Sequence, residues 1–303
     1  MSAAGGKSQP HLPPHRKGWR STVQGWVEDA SAFLDERDVP EARANAEFIM
    51  AHVLESGRAA VALHAARELP EKQGYDFWLH VKARGTRRPL AYVLGDQDFM
   101  GLKIRVSPDV LVPRPETEEL VVAAERLLAD SGRTEFQILE LGTGTGCVAI
   151  ALAQRLPGAT VYATDISPAA LTLAMQNAQK HGVSQRIRFV HEDLFKPTAH
   201  GAGWADLVVS NPPYIPSAEI ARLEPEVRQE PILALDGGKD GLSAIRAIAA
   251  YAPRQLKKGG FLALEIGSDQ GESVRGLLAE HGFESAAVRK DMQGHDRIAT
   301  GKW

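Results

Sequence analysis

The stretch "FQILELGTGTGCVAIALA", residues 136–153, decides how the chain is read. Six residues of apolar strand character run into Gly142, Gly144 and Gly146, and an apolar helical pattern follows. Glycine lets backbone adopt a sharp turn and approach a ligand closely, and the helix start beyond offers unpaired N–H groups. Working outward, the same strand and helix rhythm recurs. A helix is expected near 116–130, then strands "FQILEL", "TVYATD", "IRFVHED" and "ADLVVS", with helices near 146–156 and 168–181 between the first three. A helix near 241–252, strand "GFLALEIG", a helix near 270–281 and two strands near 284–290 and 296–301 complete the series. Such alternation predicts an α/β unit with a mostly parallel sheet covered on both faces, the last two strands forming an antiparallel pair.

Upstream the pattern changes. Residues 1–20, rich in Pro, Gly and Ser and basic without acids, are expected to be a loose tail. From Ser21, a candidate N-cap, Val23, Trp26, Val27, Ala30, Phe33 and Leu34 recur at helical spacing. A second helix is expected to begin at Pro40, and "EKQGYDFWLHVKARG" carries a third, with Tyr75, Phe77, Trp78 and Leu79 read as core. Residues 21–87 thus form a small helical domain, 88–113 a β-hairpin connector, and 114–303 the α/β domain.

At 303 residues, 44% apolar and 24% charged, the chain can bury a real core. A net charge of −3 disfavours a protein that lives on duplex phosphates. Cys147 is the single cysteine, which excludes an intrachain disulfide or a multi-cysteine zinc site, and a reducing cytoplasm is the expected location. No apolar run is long enough to span a membrane, and His191, His200, His281 and His295 lack metal-ligand spacing, so no metal is expected.

Asp165 ends the strand after the glycine turn, 19 residues beyond Gly146. A carboxylate there can accept both hydroxyls of a ribose, each charge-assisted bond contributing about 1.5 to 3 kcal/mol. Gly144, Gly146 and Ala149 also satisfy the dinucleotide fingerprint, so the turn alone does not choose the nucleoside. The fourth strand of the series chooses. "DLVVSNPPYI", residues 206–215, ends in Asn-Pro-Pro-Tyr where a dinucleotide site would need a second mononucleotide half. S-adenosylmethionine fits better, with Gly142, Thr143, Gly144, Thr145 and Gly146 under its methionine end and Asp165 on its ribose. Asp193 is expected to accept from the adenine amine and Leu194 to pack on the ring, although Asp193 also reads as the cap of the following turn. Asn211 precedes a proline and is pushed toward extended backbone, so the turn is stiff. If the Asn211 side-chain oxygen and the Pro212 carbonyl each accept one N–H, a planar amine is held with its lone-pair direction facing an electrophilic methyl. Pro213 completes the turn, and Tyr214 can stack on the planar group.

The order of "ELGTGTG", Asp165 and "NPPY" resembles the seven-strand, Rossmann-like S-adenosylmethionine-dependent methyltransferases that modify planar nitrogens. "RPLAYVLGDQDFMGLKIRVSPDVLVPRPETEELV", "NPPYIPSAEIARLEPEVRQEPILALDGGKDGL" and the ending "DMQGHDRIATGKW" resemble the HemK-type release-factor glutamine methyltransferases. That resemblance implies an all-α N-terminal domain for substrate recognition, joined by a hairpin to a seven-stranded methyltransferase domain. It implies as substrate the glutamine of the Gly-Gly-Gln loop of class 1 peptide chain release factors. Gly142 to Gly146, Asp165, Leu194 and Asn211 would then contact the cofactor, and Asn211 to Tyr214 the glutamine amide. Some relatives carry an aromatic residue in place of Leu194. Three other readings stand beside it: a ribosomal-protein glutamine methyltransferase, an adenine N6 methyltransferase of nucleic acid, and a non-catalytic cofactor-binding adaptor. "VPRPETE", residues 112–118, favours the release-factor branch. Arg114, Glu116 and Glu118 are candidates to close over the site or bind the partner, the two acids reading also as dipole partners of a helix start. Phe99 is a candidate to cover the cofactor or to be a core aromatic, and Glu230 and Pro231 to shape the entrance.

Overall fold

The structure is a computed structural model that describes residues 22–129, 132–193 and 201–303. The tail, the Ser21 cap and Leu194 lie outside the described residues. Two compact units meet in sequence between Leu94 and Gly95.

The first unit is helical: α1 (Val23–Asp35), α2 (Ala42–Val53), α3 (Arg58–Leu63), α4 (Glu71–Gly85) and α5 (Leu90–Leu94). Thr22 caps α1, its hydroxyl accepting from the Gly25 N–H at 3.3 Å. Leu34, Ile49, Met50, Phe77 and Val81 are fully buried at the centre. Trp78 joins them, whereas Leu79, expected in the same core, is 39% exposed. Gly74 and Gly85 let α4 lie close to α1, because a Cβ at either would sit 2.7 Å from the ring of Trp26 or Phe33. Pro40 does not begin α2. Glu41 takes a left-handed φ of 50°, and the helix starts at Ala42. Asn45 holds this entry, donating to the carbonyls of Pro40 at 2.9 Å and Glu41 at 3.2 Å while accepting from Arg84 Nε at 2.7 Å. Asn45→Ala removes all three bonds from a buried site, and α2 should lose about 2 to 3 kcal/mol of protection. Amide hydrogen exchange in α2 and α4 measures this, and unchanged exchange there would contradict it.

The second unit opens with a hairpin, β1 (Asp96–Phe99) and β2 (Leu102–Arg105). It is shorter than the 88–113 span expected. Residues 90–94 are helix and 106–114 are irregular, since a five-residue apolar run has no period that separates strand from one helical turn. The main sheet contains β3 (Phe136–Leu141), β4 (Ala159–Asp165), β5 (Ile187–His191), β6 (Ala205–Ser210), β7 (Leu256–Glu265), β8 (Glu284–Lys290) and β9 (Asp296–Lys302). Their order is β5-β4-β3-β6-β7-β9-β8. The first five run parallel, and β9 enters antiparallel between β7 and β8. This is the seven-stranded, mostly parallel sheet expected.

Alternation along β3 builds both faces. Phe136 and Ile138 join one core with Leu120 and Val121 of α6 (Pro115–Ala129) and Ile150 of α7 (Cys147–Arg155). Leu139 and Leu141 join the other, with Ile245 and Ile248 of α9 (Ser243–Gln255) and Val274 of α10 (Gly271–Glu280). One helix, α8 (Pro168–Lys180), links β4 and β5. Because β4 lies on one side of β3 and β6 on the other, the strand order reverses there. Ligands of open α/β sheets bind at the carboxyl ends flanking such a reversal.

Candidate active site

At the carboxyl end of β3, Gly142, Gly144 and Gly146 take φ values of 72°, 53° and 80°. A Cβ at Gly142 or Gly144 would meet nothing within 4 Å, so glycine is needed there for backbone conformation and the space above stays open. At Gly146 a Cβ would lie 3.0 Å from Ala174 Cβ, so this glycine also lets α7 start close to α8. The turn is tied to β4 by Thr143 N–H donating to the Thr164 carbonyl at 2.8 Å. Asp165 makes the second tie, accepting from Gly144 N–H at 2.8 Å through Oδ2 and from Ser167 N–H at 2.9 Å through Oδ1. Each carboxylate oxygen keeps lone-pair capacity for a further donor. Burial holds Asp165 above the usual carboxylate range, opposed by its backbone donors.

A cavity of about 260 Å³ sits over this turn. Of the residues expected to hold the cofactor or substrate, Gly142, Thr143, Gly144, Thr145, Asp165, Asp193, Asn211 and Pro213 line it. Gly146, Pro212 and Tyr214 are not among its lining residues. Sequence reasoning missed Glu140, Glu192 and Thr117, which also line the cavity, as do Val110, Leu111 and Pro113 beyond the hairpin. Glu140 is 3% exposed and accepts from the Thr143 hydroxyl at 2.7 Å. Burial pushes it up to about 8, with Asp165 adding to the rise against the Thr143 bond. Burial also raises the Cys147 thiol to about 12, which removes it as a nucleophile.

The Asn-Pro-Pro-Tyr turn leaves the end of β6, whose Ser210 pairs with Leu141 and donates its hydroxyl to the Leu141 carbonyl at 2.7 Å. Asn211 therefore stands beside the glycine turn. Its Nδ2 donates to Thr117 Oγ1 at 3.1 Å, and Thr117 donates to Glu265 Oε2 at 2.7 Å. Tyr214 donates its hydroxyl to Glu265 Oε1 at 3.3 Å, and burial moves its ionisation to higher pH, which keeps the phenol neutral. Gln270 Nε2 donates to the Tyr214 carbonyl at 3.0 Å. The turn is thus fastened through both of its polar side chains.

Three residues expected at the entrance have structural partners. Arg114 pairs with Glu230, which also accepts from Val112 N–H at 3.0 Å, so one buried carboxylate joins the two segments bordering the cavity. Glu118 accepts from Met100 N–H at 2.7 Å and holds the hairpin turn, where Met100 has a φ of 50°. Phe99 is 1% exposed in the sheet core, so it does not cover the cavity. Pro231 does line it, beside Leu233.

Comparison with known proteins agrees with this arrangement. Residues 118–224 match the methyltransferase small domain, and residues 25–95 match the PrmC N-terminal domain. A protein of Cereibacter sphaeroides named release factor glutamine methyltransferase is 42% identical over 87% of this chain and 92% of its own length. One of Geobacter sulfurreducens with the same name is 39% identical over 93% of this chain and 96% of its own. Among solved structures, the hMettl16 catalytic domain in complex with MAT2A 3'UTR hairpin 6 shares the fold at a TM-score of 0.54 and 20% identity, over 74% of this chain and 81% of that one. Identity at this level, sustained across both units, places the chain in the release factor glutamine methyltransferase family.

Proposed function

We propose that the protein methylates the side-chain amide nitrogen of the glutamine in the Gly-Gly-Gln loop of class 1 release factors, with S-adenosylmethionine as donor. The observation that carries this reading is identity of about 40% to relatives of that name along most of the chain. The donor supplies a methyl group already activated on a positively charged sulfur. The cavity suits such a cation. Asp165 and Asp193 put acidic groups on its wall, and the open space over Gly142 and Gly144 admits a close backbone approach.

An amide nitrogen is a poor nucleophile, because its lone pair is delocalised into the carbonyl. Position must compensate. Asn211 Oδ1 and the Pro212 carbonyl accept one N–H each, which turns the nitrogen toward the methyl and stabilises charge that develops on it. Tyr214, held by Glu265 through its hydroxyl, stiffens the turn behind Asn211. The proton lost from nitrogen leaves to water, and transfer needs no covalent enzyme intermediate. Residues 21–87 contribute recognition of the protein substrate, and the reaction takes place in the cytoplasm during maturation of the translation-termination machinery. No helix among the described residues is long and apolar enough to cross a membrane.

Incubation with labelled donor and either a purified release factor, ribosomal proteins or nucleic acid tests the reading. Label should enter the release factor. Label in nucleic acid or ribosomal protein alone would overturn it.

A further inference from the structure

The amide of Asn211 has two terminal atoms of nearly equal size and opposite hydrogen-bonding character. Only one orientation offers an acceptor to the substrate. Something must choose, and the choice is visible 94 residues away in sequence, at Thr117. The Thr117 hydroxyl carries a single proton. It lies 2.7 Å from Glu265 Oε2 and 3.1 Å from Asn211 Nδ2. An ionised carboxylate can only accept, so it takes the hydroxyl proton. Thr117 is then obliged to accept from Asn211, which leaves Asn211 Oδ1 for the substrate. The second oxygen of the same carboxylate accepts from Tyr214.

We propose that Glu265 and Thr117 are positioning residues: the Glu265 carboxylate, relayed by the Thr117 hydroxyl, sets the orientation of the Asn211 amide as the acceptor for substrate N–H. The proposal rests on the reading of Asn211 given above and adds the residues that make that reading possible. A carboxylate at 1% exposure at the end of an apolar strand is costly unless its bonds matter. Both of its oxygens are spent on the Asn-Pro-Pro-Tyr turn and its support.

The relay works in one protonation state. Protonated Glu265 can donate to Thr117, which frees the hydroxyl proton for Asn211 Oδ1 and favours the reversed amide. Burial pushes Glu265 up to about 7, opposed by the Thr117 bond, by Arg297 and by Tyr214, with Glu116 adding to the rise. Arg297 is in turn drawn to Asp291 at 3.4 Å, and Cys147, the other ionisable neighbour, stays a neutral thiol. The active form is the carboxylate, so transfer should be lost as pH falls through about 7.

The experiment has two arms. In single turnovers with a purified release factor, Thr117→Val should lower the methyl-transfer rate about 10- to 100-fold with KM and donor affinity nearly unchanged. Thr117→Ser, which keeps the hydroxyl, should recover most of the rate, and Glu265→Gln should remove the acid-side inflection. Wild-type rate in Thr117→Val, no recovery in Thr117→Ser, or a persisting inflection in Glu265→Gln would overturn the proposal. The second arm needs no substrate. The Asn211 side-chain amide resonances of the full-length protein should titrate with a midpoint near 7 and become pH-independent in Thr117→Val. Resonances that do not titrate in the wild type, or that titrate equally in Thr117→Val, would overturn it. Failure of the wild type to label the release factor refutes the substrate assignment instead, and the resonance titration then decides the relay by itself.

Discussion

Asn211→Ala is expected to lower methyl transfer to a purified release factor by about 10²- to 10³-fold, the loss typical of removing one oriented partner of a developing charge. Donor affinity should change little. The asymmetry follows from position. Asn211 borders the cavity at its β6 side, while the glycine turn, Glu140 and Asp165, the proposed supports of the donor, border it from β3 and β4. Truncation leaves the Pro212 carbonyl as the single acceptor for the amide, so the nitrogen can rotate away from the methyl. Calorimetric titration with the donor and single-turnover transfer separate the two effects. Equal losses in affinity and rate would mean that Asn211 acts chiefly on the donor, and a near-normal rate would remove it from the mechanism.

Asp165→Ala is expected to act at the other stage. Its carboxylate fixes Gly144 N–H and Ser167 N–H, and so joins the glycine turn to the start of α8 before any ligand arrives. Loss of two charge-assisted bonds of about 1.5 to 3 kcal/mol each, together with the ribose contact, amounts to about 10²- to 10⁴-fold in donor affinity. Asn at this position is a poor substitute. Both oxygens face backbone donors, and an amide would present its own N–H to one of them. Donor titrations of Asp165→Ala and Asp165→Asn should therefore both show large losses. A wild-type affinity in Asp165→Asn would show that the two backbone ties are dispensable.

The strand, glycine turn and helix around residue 142 were legible because each local signal agreed with the others. Asn-Pro-Pro-Tyr was legible as a stiff turn at the end of a strand, and it follows β6 directly. What the sequence hid were the partners that fasten these groups. Thr117 lies within "RPETEE", where its acidic neighbours drew attention as a possible lid; its role depends on Glu265, 148 residues further on. Glu140 and Glu265 were passed over inside "ILEL" and "LALE". A signal was present there, because glutamate is almost never fully buried unless paired, and both segments read as buried strands. Phe99 stays open between core and cavity in the sequence for a different reason. An aromatic next to a turn is chemically ambiguous, and only the packing of the hairpin on α6 turns it into the core. Helices α3 and α5 are too short to show a period.

The central claim is the identity of the acceptor. Mass spectrometry of the Gly-Gly-Gln peptide from a class 1 release factor, prepared from cells with and without this enzyme, tests it most directly. A glutamine heavier by one methyl substitution on its side-chain nitrogen is expected when the enzyme is present, and unmodified glutamine when it is absent. The same unmodified glutamine in both preparations, or methylation that persists without the enzyme, would contradict it.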